Sequence, residues 1–205
     1  MSFALTNWGY SVDGTLADFI TTTEFDSFTA SKFTGDVRIA SDIKSTTAAI
    51  RNYCGWHVAP SLPCELSTTF FDRRVSTGRG GILIQLPAKF VSGITDITID
   101  GVTCEKYILE PNGLLKVYDV PAYMEYTPIV VHYTAGLSSD MIDAVKEMTA
   151  NRVTHALASS YGITSEAAGG VSVTYNASWA GNTQATSLSD GDKEVLSPYR
   201  IGGVF

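Results

Sequence analysis

The hydrophobic period of this chain changes at residue 55. Before it, Ile39, Ile43, Thr46, Thr47, Ile50 and Cys54 recur at helical spacing and form a single stripe. Gly55 follows the last of them, where a left-handed residue closes a helix, and Pro60 and Pro63 bar its resumption. Beyond that point apolar residues alternate. Such a break excludes an all-helical or an all-β chain, and it predicts a helix over 39–54 that leads directly into a sheet.

The alternation persists for about 70 residues. Runs at 65–71 and 81–86 read as strands around the loop from Arg73 to Gly80. Ile94, Ile97 and Ile99 lead into Asp100-Gly101, the pair that a type I′ hairpin turn favours. Val102 to Leu109 runs back, Pro111-Asn112-Gly113 turns the chain into Leu114–Tyr118, and Pro128 opens a last run, Ile129–Tyr133, closed by Gly136. Together these predict an antiparallel meander over about 64–134.

Helical signals flank the sheet. Thr21 and Glu24 have capping-box spacing with Ile20 and Phe25 at the staple positions, so a short helix over 22–32 should present Phe25 and Phe28. A longer helix over 138–160 has Ser138 or Ser139 as cap and Asp140 and Asp143 at its positive end. Its apolar sector is wide, and Arg152 falls within it beside Val145 and Met148. A guanidinium there must snorkel to water or meet an acid, and an acid on a neighbouring subunit makes Asn151, Arg152 and His155 a candidate subunit interface. Val171, Val173 and Tyr175 give one more strand, over 170–175. The first 19 residues show no period and read as an extended arm, 20–175 as the main domain, and 176–205 as a linker followed by a tail.

That tail is unusual for a chain end. Pro198, Tyr199, Arg200, Ile201 and Phe205 follow an Asn/Ser/Thr/Gly-rich stretch, whereas loose termini are normally polar. A set so rich in interaction-prone side chains is expected either to tuck onto its own domain or to dock on another protein.

Composition narrows the function. The 205 residues carry a net charge of −7, and the compact basic spots are confined to Arg73-Arg74 and Arg79, so a general nucleic-acid grip is excluded. Only 17% of residues are charged, while 23 Thr and 20 Ser supply a hydroxyl-rich surface suited to packing among other subunits. No apolar run is long enough to span a membrane. Cys54, Cys64 and Cys104 have no metal-ligand spacing and read as reduced, buried thiols. His57, His132 and His155 lie on separate elements with no partner at ligand spacing, so no metal, cofactor or catalytic site is expected. Gly78-Arg79-Gly80-Gly81 precedes a strand, and phosphate loops open helices, so it reads as a hairpin tip.

Several of these segments together resemble the head-to-tail connector, or adaptor, family of long-tailed bacteriophages, in the branch found in phages of actinobacterial hosts. The carrying segments are Ile20-Thr21-Thr22-Thr23-Glu24-Phe25, then Ala48-Ala49-Ile50-Arg51-Asn52-Tyr53-Cys54-Gly55-Trp56-His57-Val58-Ala59-Pro60, then Gly170-Val171-Ser172-Val173-Thr174-Tyr175, and finally Leu188 with Leu196-Ser197-Pro198-Tyr199-Arg200. The resemblance covers residues 20–203. It implies an α+β fold: a small helical bundle of connector type with the β-meander inserted between its second and third helices. It also implies a non-enzymatic virion protein, made in the host cytoplasm. The expected assembly is a dodecameric ring beneath the portal protein that contacts the next neck or tail-completion protein. Genomic DNA would pass through the ring lumen without specific binding. Pro198, Tyr199, Arg200, Ile201 and Phe205 are the candidate portal-docking arm. Two other readings are another neck or tail-completion component, and a β-rich carbohydrate-binding module suggested by Trp8, Trp56, Trp179 and the tyrosines; the two amphipathic helices are too long for a simple lectin sandwich.

Overall fold

A computed structural model describes residues 3–78, 80–121, 124–160, 165–168, 171–174 and 187–201. The chain divides into two compact units, each assembled from separated stretches of sequence. The first comprises Met1–Ala17, Cys54–Asp140 and Tyr199–Phe205; the second comprises Asp18–Tyr53 and Met141–Pro198.

The first unit is built of strands: β1 (Phe3–Leu5), β2 (Ser11–Asp13), β3 (Leu62–Thr69), β4 (Val75–Gly78), β5 (Gly81–Gln85), β6 (Val91–Ile99), β7 (Val102–Thr103), β8 (Tyr107–Leu109), β9 (Leu114–Tyr118) and β10 (Pro128–Ala135). They form a six-stranded antiparallel sheet in the order β1-β2-β3-β10-β6-β7 and a four-stranded one in the order β4-β5-β9-β8. The longest pairing sets β10 against β3 from Pro128↔Thr69 to Ala135↔Leu62. Along β10 every second side chain, Ile129, Val131, Tyr133 and Ala135, is buried, which is the alternation a sheet with one covered face requires. In the smaller sheet Ile82, Ile84, Leu115 and Val117 are fully buried by the same rule. Asp100 and Gly101 both have positive φ, +54° and +76°, as a type I′ turn between β6 and β7 needs.

The second unit carries the helices: α1 (Thr22–Phe28), α2 (Ile39–Cys54, whose last residue falls in the first unit), α3 (Asp143–Ser160) and α4 (Asp190–Leu196), followed by a 3-10 turn at Ser197–Tyr199. A hairpin of β11 (Ser165–Ala168) and β12 (Val171–Thr174) lies between α3 and α4. Thr21 and Glu24 complete a reciprocal capping box on α1, and Ala30 and Ser31, with positive φ, end that helix region. Ile20, Phe25, Phe33, Ile39 and Ile43 form one apolar cluster with Ala150, Val153, Leu157 and Ala158 of α3. Lys146 of α3 donates to Glu24 at 2.7 Å. Ser139 bonds the Asp140 carboxylate at 2.9 Å rather than a helix amide, and α3 starts at Asp143.

This architecture corrects the expected fold. The chain is α+β only in the broad sense: among the described residues four α-helices accompany antiparallel sheets of six, four and two strands, and it is not a small helical bundle with one inserted meander. Two causes can be identified. Strands adjacent in sequence do not all pair. After β3 the carboxylate of Asp72 accepts from Thr68 Oγ1 and from the Arg74 amide, both at 2.9 Å, and turns the chain away into the second sheet. The chain returns to the first sheet only at β6, and again at β10. Alternation fixes which side chains face inward but not which strand lies alongside. In addition, residues in the stretch 1–19 contribute β1 and β2, and β2 pairs with β3 through Ser11↔Glu65 and Val12↔Cys64. Among the described residues, no helix is long and apolar enough to cross a membrane.

Candidate interaction surfaces

The C-terminal segment has a seat within the first unit. Gly55, at φ +78°, turns the chain out of α2, and Trp56 follows with no exposed surface. The Trp56 ring stacks on Phe90 at 6.2 Å between centroids, and Phe90 in turn meets Tyr199 at 5.9 Å. The Trp56 Nε1–H donates to the Tyr199 carbonyl at 2.6 Å, and the Ile201 amide donates to the Cys54 carbonyl at 3.0 Å. Burial pushes the Cys54 thiol up to about 12, against the opposing fields of Lys89 and Arg200. Tyr199 and Ile201 are therefore half-buried on their own chain, while Pro198 and Arg200 are exposed. Phe205 lies outside the described residues, as do Arg79, Gly162, Tyr175, Trp179 and the rest of the 175–186 stretch.

On α3 the structure separates the three predicted interface residues. Asn151 and His155 are exposed, whereas Arg152 is buried. Its Nη1–H donates to Asp192 Oδ2 at 3.0 Å. Burial lowers the Arg152 pKa from its ordinary value and the Asp192 charge opposes that shift. The same Asp192 oxygen accepts from the Ser189 amide at 2.8 Å and the Ser189 hydroxyl at 2.7 Å, completing the N-terminal cap of α4. The acid that Arg152 meets thus comes from the same unit of the same chain.

A further surface was not singled out by sequence reasoning. Phe71 and Tyr126 are 70% and 74% exposed, yet their rings stack at 6.0 Å and 25°. The Phe71 amide donates to the Glu125 carbonyl at 3.0 Å and fixes the two loops together, with exposed Met124 alongside. The available signal was Phe70-Phe71, adjacent aromatics where strand alternation can bury only one.

Among the described residues, the ionisable groups make no converging site. His132 on β10 lies directly across from Glu65 on β3 and Asp96 on β6. Its Nε2 meets Glu65 at 3.1 Å and its Nδ1 approaches Asp96 at 3.9 Å. The two carboxylates address opposite edges of the ring and cannot share an ion with it. His57 is held in one tautomer. Its Nε2 lies 3.0 Å from the Ala135 carbonyl, which only accepts, so Nε2 carries the proton and Nδ1 accepts from the Tyr10 hydroxyl at 2.6 Å. Burial also pushes the Cys64 thiol up to about 12, which leaves it protonated and unreactive. Among the described residues, no group of three or more His, Cys, Asp or Glu could hold a metal ion. Gly78 and Gly81 face each other across the β4–β5 hairpin, so these two glycines join strands and open no helix.

What these surfaces offer is protein contact: stacked exposed aromatics and an interaction-rich C-terminal segment. A protein-family model described as head completion protein matches residues 18–201. A search of the curated proteins finds no match. The family match covers most of both units, and the chain belongs to the head completion protein family, structural proteins of the bacteriophage head–tail joint.

Proposed function

We propose that this chain acts as a head-to-tail adaptor: a ring of twelve copies beneath the portal protein that extends the DNA channel and receives the next neck or tail-completion protein. The observation that carries this reading is the family match over residues 18–201. The motif resemblance described above supports the finer role. The net charge of −7 suits a channel through which phosphates slide without being held.

The docking arm of this proposal is the segment with Pro198, Tyr199, Arg200, Ile201 and Phe205. Exposed Pro198 and Arg200 lie beside the anchored Tyr199, so the arm offers a preordered contact to the portal, and twelvefold repetition offsets weak single contacts. Asn151 and His155 offer the exposed part of the α3 interface, with Arg152 behind them as a support for α4. Mixing the purified chain with its cognate portal protein, then imaging by negative-stain microscopy, tests the reading. Twelvefold rings stacked on portals are expected. Portals that stay bare at saturating chain concentration would sink it.

A further inference from the structure

The four-stranded sheet ends in β4 on one side and β8 on the other, and no described strand covers either edge. Ladder geometry shows which backbone groups those edges present. On β8, the Tyr118 amide donates to the Lys106 carbonyl at 2.8 Å and the Glu110 amide to the Leu114 carbonyl at 2.9 Å. Alternation then turns Ile108 toward β9 as well, and points the N–H and C=O of Tyr107 and Leu109 away from the sheet. On β4, the Gln85 amide donates to the Arg74 carbonyl at 2.8 Å. With the register Ser76↔Leu83 and Gly78↔Gly81, this leaves the Thr77 N–H and C=O and the Val75 C=O pointing outward. The Val75 amide is taken by the Asp72 carbonyl at 2.9 Å.

Neither edge carries the usual guards against pairing, a charge or proline within the strand. Tyr107 and Ile108 of β8 are exposed, as are Ser76, Thr77 and Gly78 of β4. Lys106, the nearest candidate guard, has its ammonium bound to Asp119 at 2.5 Å.

We propose that β8 of one copy pairs antiparallel with β4 of the next, so that this sheet runs on from subunit to subunit. Three observations select this occupant. First, every neighbour in the sheet is antiparallel and the strands number four, so the two edges run in opposite directions. A copy that continues the sheet presents its β4 antiparallel to β8. Second, one register aligns the outward groups: Tyr107 opposite Thr77, which can exchange both bonds, and Leu109 opposite Val75, where the Leu109 N–H meets the Val75 C=O. Within the sheet Tyr107 and Leu109 oppose Val117 and Leu115, and Thr77 and Val75 oppose Ile82 and Ile84. All four share the face that carries buried Ile82, Ile84, Leu115 and Val117, so the joined sheet keeps those residues on one side. Third, this register sets exposed Glu110, at the end of β8, opposite half-buried Arg74, just before β4 of the neighbour, an opposite-charge pair. Because the two edges differ, the contact is head-to-tail, the type that closes a ring when its rotation fits. The proposal rests on the ring reading above and supplies its subunit contact.

The full-length Thr77→Cys/Tyr107→Cys variant tests it. Cα atoms directly opposite across an antiparallel pair sit within disulfide reach, and the three native cysteines are buried. On oxidation at high concentration, a ladder of dimers, trimers and larger species is expected on non-reducing gels, while each single variant stops at dimers. Leu109→Pro removes an outward N–H and spares the β9 ladder; it should keep the wild-type circular dichroism and lose ring assembly. If wild-type rings form while the double variant gives nothing beyond dimers, or if Leu109→Pro assembles normally, the edge pairing is overturned and the ring reading stands. A ladder from a chain that never closes rings supports the pairing and overturns the ring. A wild-type chain that stays monomeric even on portals, with no ladder, overturns both.

Discussion

The indole of Trp56 and the carbonyl of Tyr199, 143 residues apart in sequence, are joined by a hydrogen bond of 2.6 Å. Trp56 is fully buried, so its N–H has no water to fall back on. Trp56→Phe keeps the stacking on Phe90 and deletes this bond. Hydrogen exchange of the Ile201 amide should rise, and stability in urea should fall by about 1 kcal/mol. Deleting residues 199–205 strands the indole N–H and should lower stability by about 2 kcal/mol; an unchanged urea midpoint would show that the seat contributes nothing.

Arg152 and Asp192 form the other long-range tie, within the helical unit. Asp192→Asn keeps a capping side chain on α4 but leaves a buried guanidinium without its counter-charge, and should cost about 3 kcal/mol. Arg152→Met, which retains the apolar stem and removes the charge, should cost clearly less. Equal losses in thermal melts of the two variants would contradict this account.

Tyr133 is 1% exposed, and its hydroxyl has no hydrogen-bond partner. Burial, with Cys64 and Tyr10 nearby, holds its pKa well above the ordinary value. Tyr133→Phe removes an unsatisfied polar atom, so stability should be unchanged or should rise by up to about 1 kcal/mol. A clear loss in chemical denaturation would reveal a bond the hydroxyl makes in solution.

Two glycines should respond differently to alanine. At Gly55 a Cβ meets nothing within 4 Å, so only the left-handed backbone resists, at about 1 kcal/mol. At Gly136, with φ +127°, a Cβ would lie 2.7 Å from Ser61 Cα and would also clash with the Pro60 carbonyl. Both are backbone atoms that cannot swing aside, so Gly136→Ala should cost more than twice as much as Gly55→Ala when the two are compared by urea titration.

Glu24 supplies a pH dependence. The Lys146 hydrogen bond, then the Thr21 amide, lower its pKa below the ordinary 4.5. A depressed folded-state pKa gives stability that is fully present above 4.5 and is lost as pH falls through the folded value. Both side chains are partly exposed, so the contribution is small, below about 1 kcal/mol. Lys146→Gln should flatten this part of the acid limb and leave stability at pH 7 nearly unchanged.

Local chemistry was legible in the sequence and partnership was not. The Thr21–Glu24 box, the positive φ of Gly55 and the Asp100-Gly101 turn all depend on residues within four positions of one another, and each has its expected geometry. The pairing of β3 with β10 joins residues more than fifty positions apart, and alternation within each strand is equally consistent with a simple meander. β1 and β2 are three residues each, too short to show a period. The Arg152 stripe position announced that an acid was needed. It did not say that the acid was Asp192, forty residues on, already committed to capping α4. The C-terminal aromatic announced that it needed cover, and only the structure shows Phe90 providing it.

The first unit draws on the beginning, the middle and the end of the chain, and the second fills the gaps. On the ribosome, β2 must wait for β3, some fifty residues later, before it has a neighbour on its other side. Trp56 must wait for 143 more residues before Tyr199 exists to cover its indole. Neither unit can finish before the residues from α4 to Ile201 have been made, so both complete late and together. A chain cut short by a late nonsense codon would leave both units open at once, and such products should be degraded rather than enter assembly.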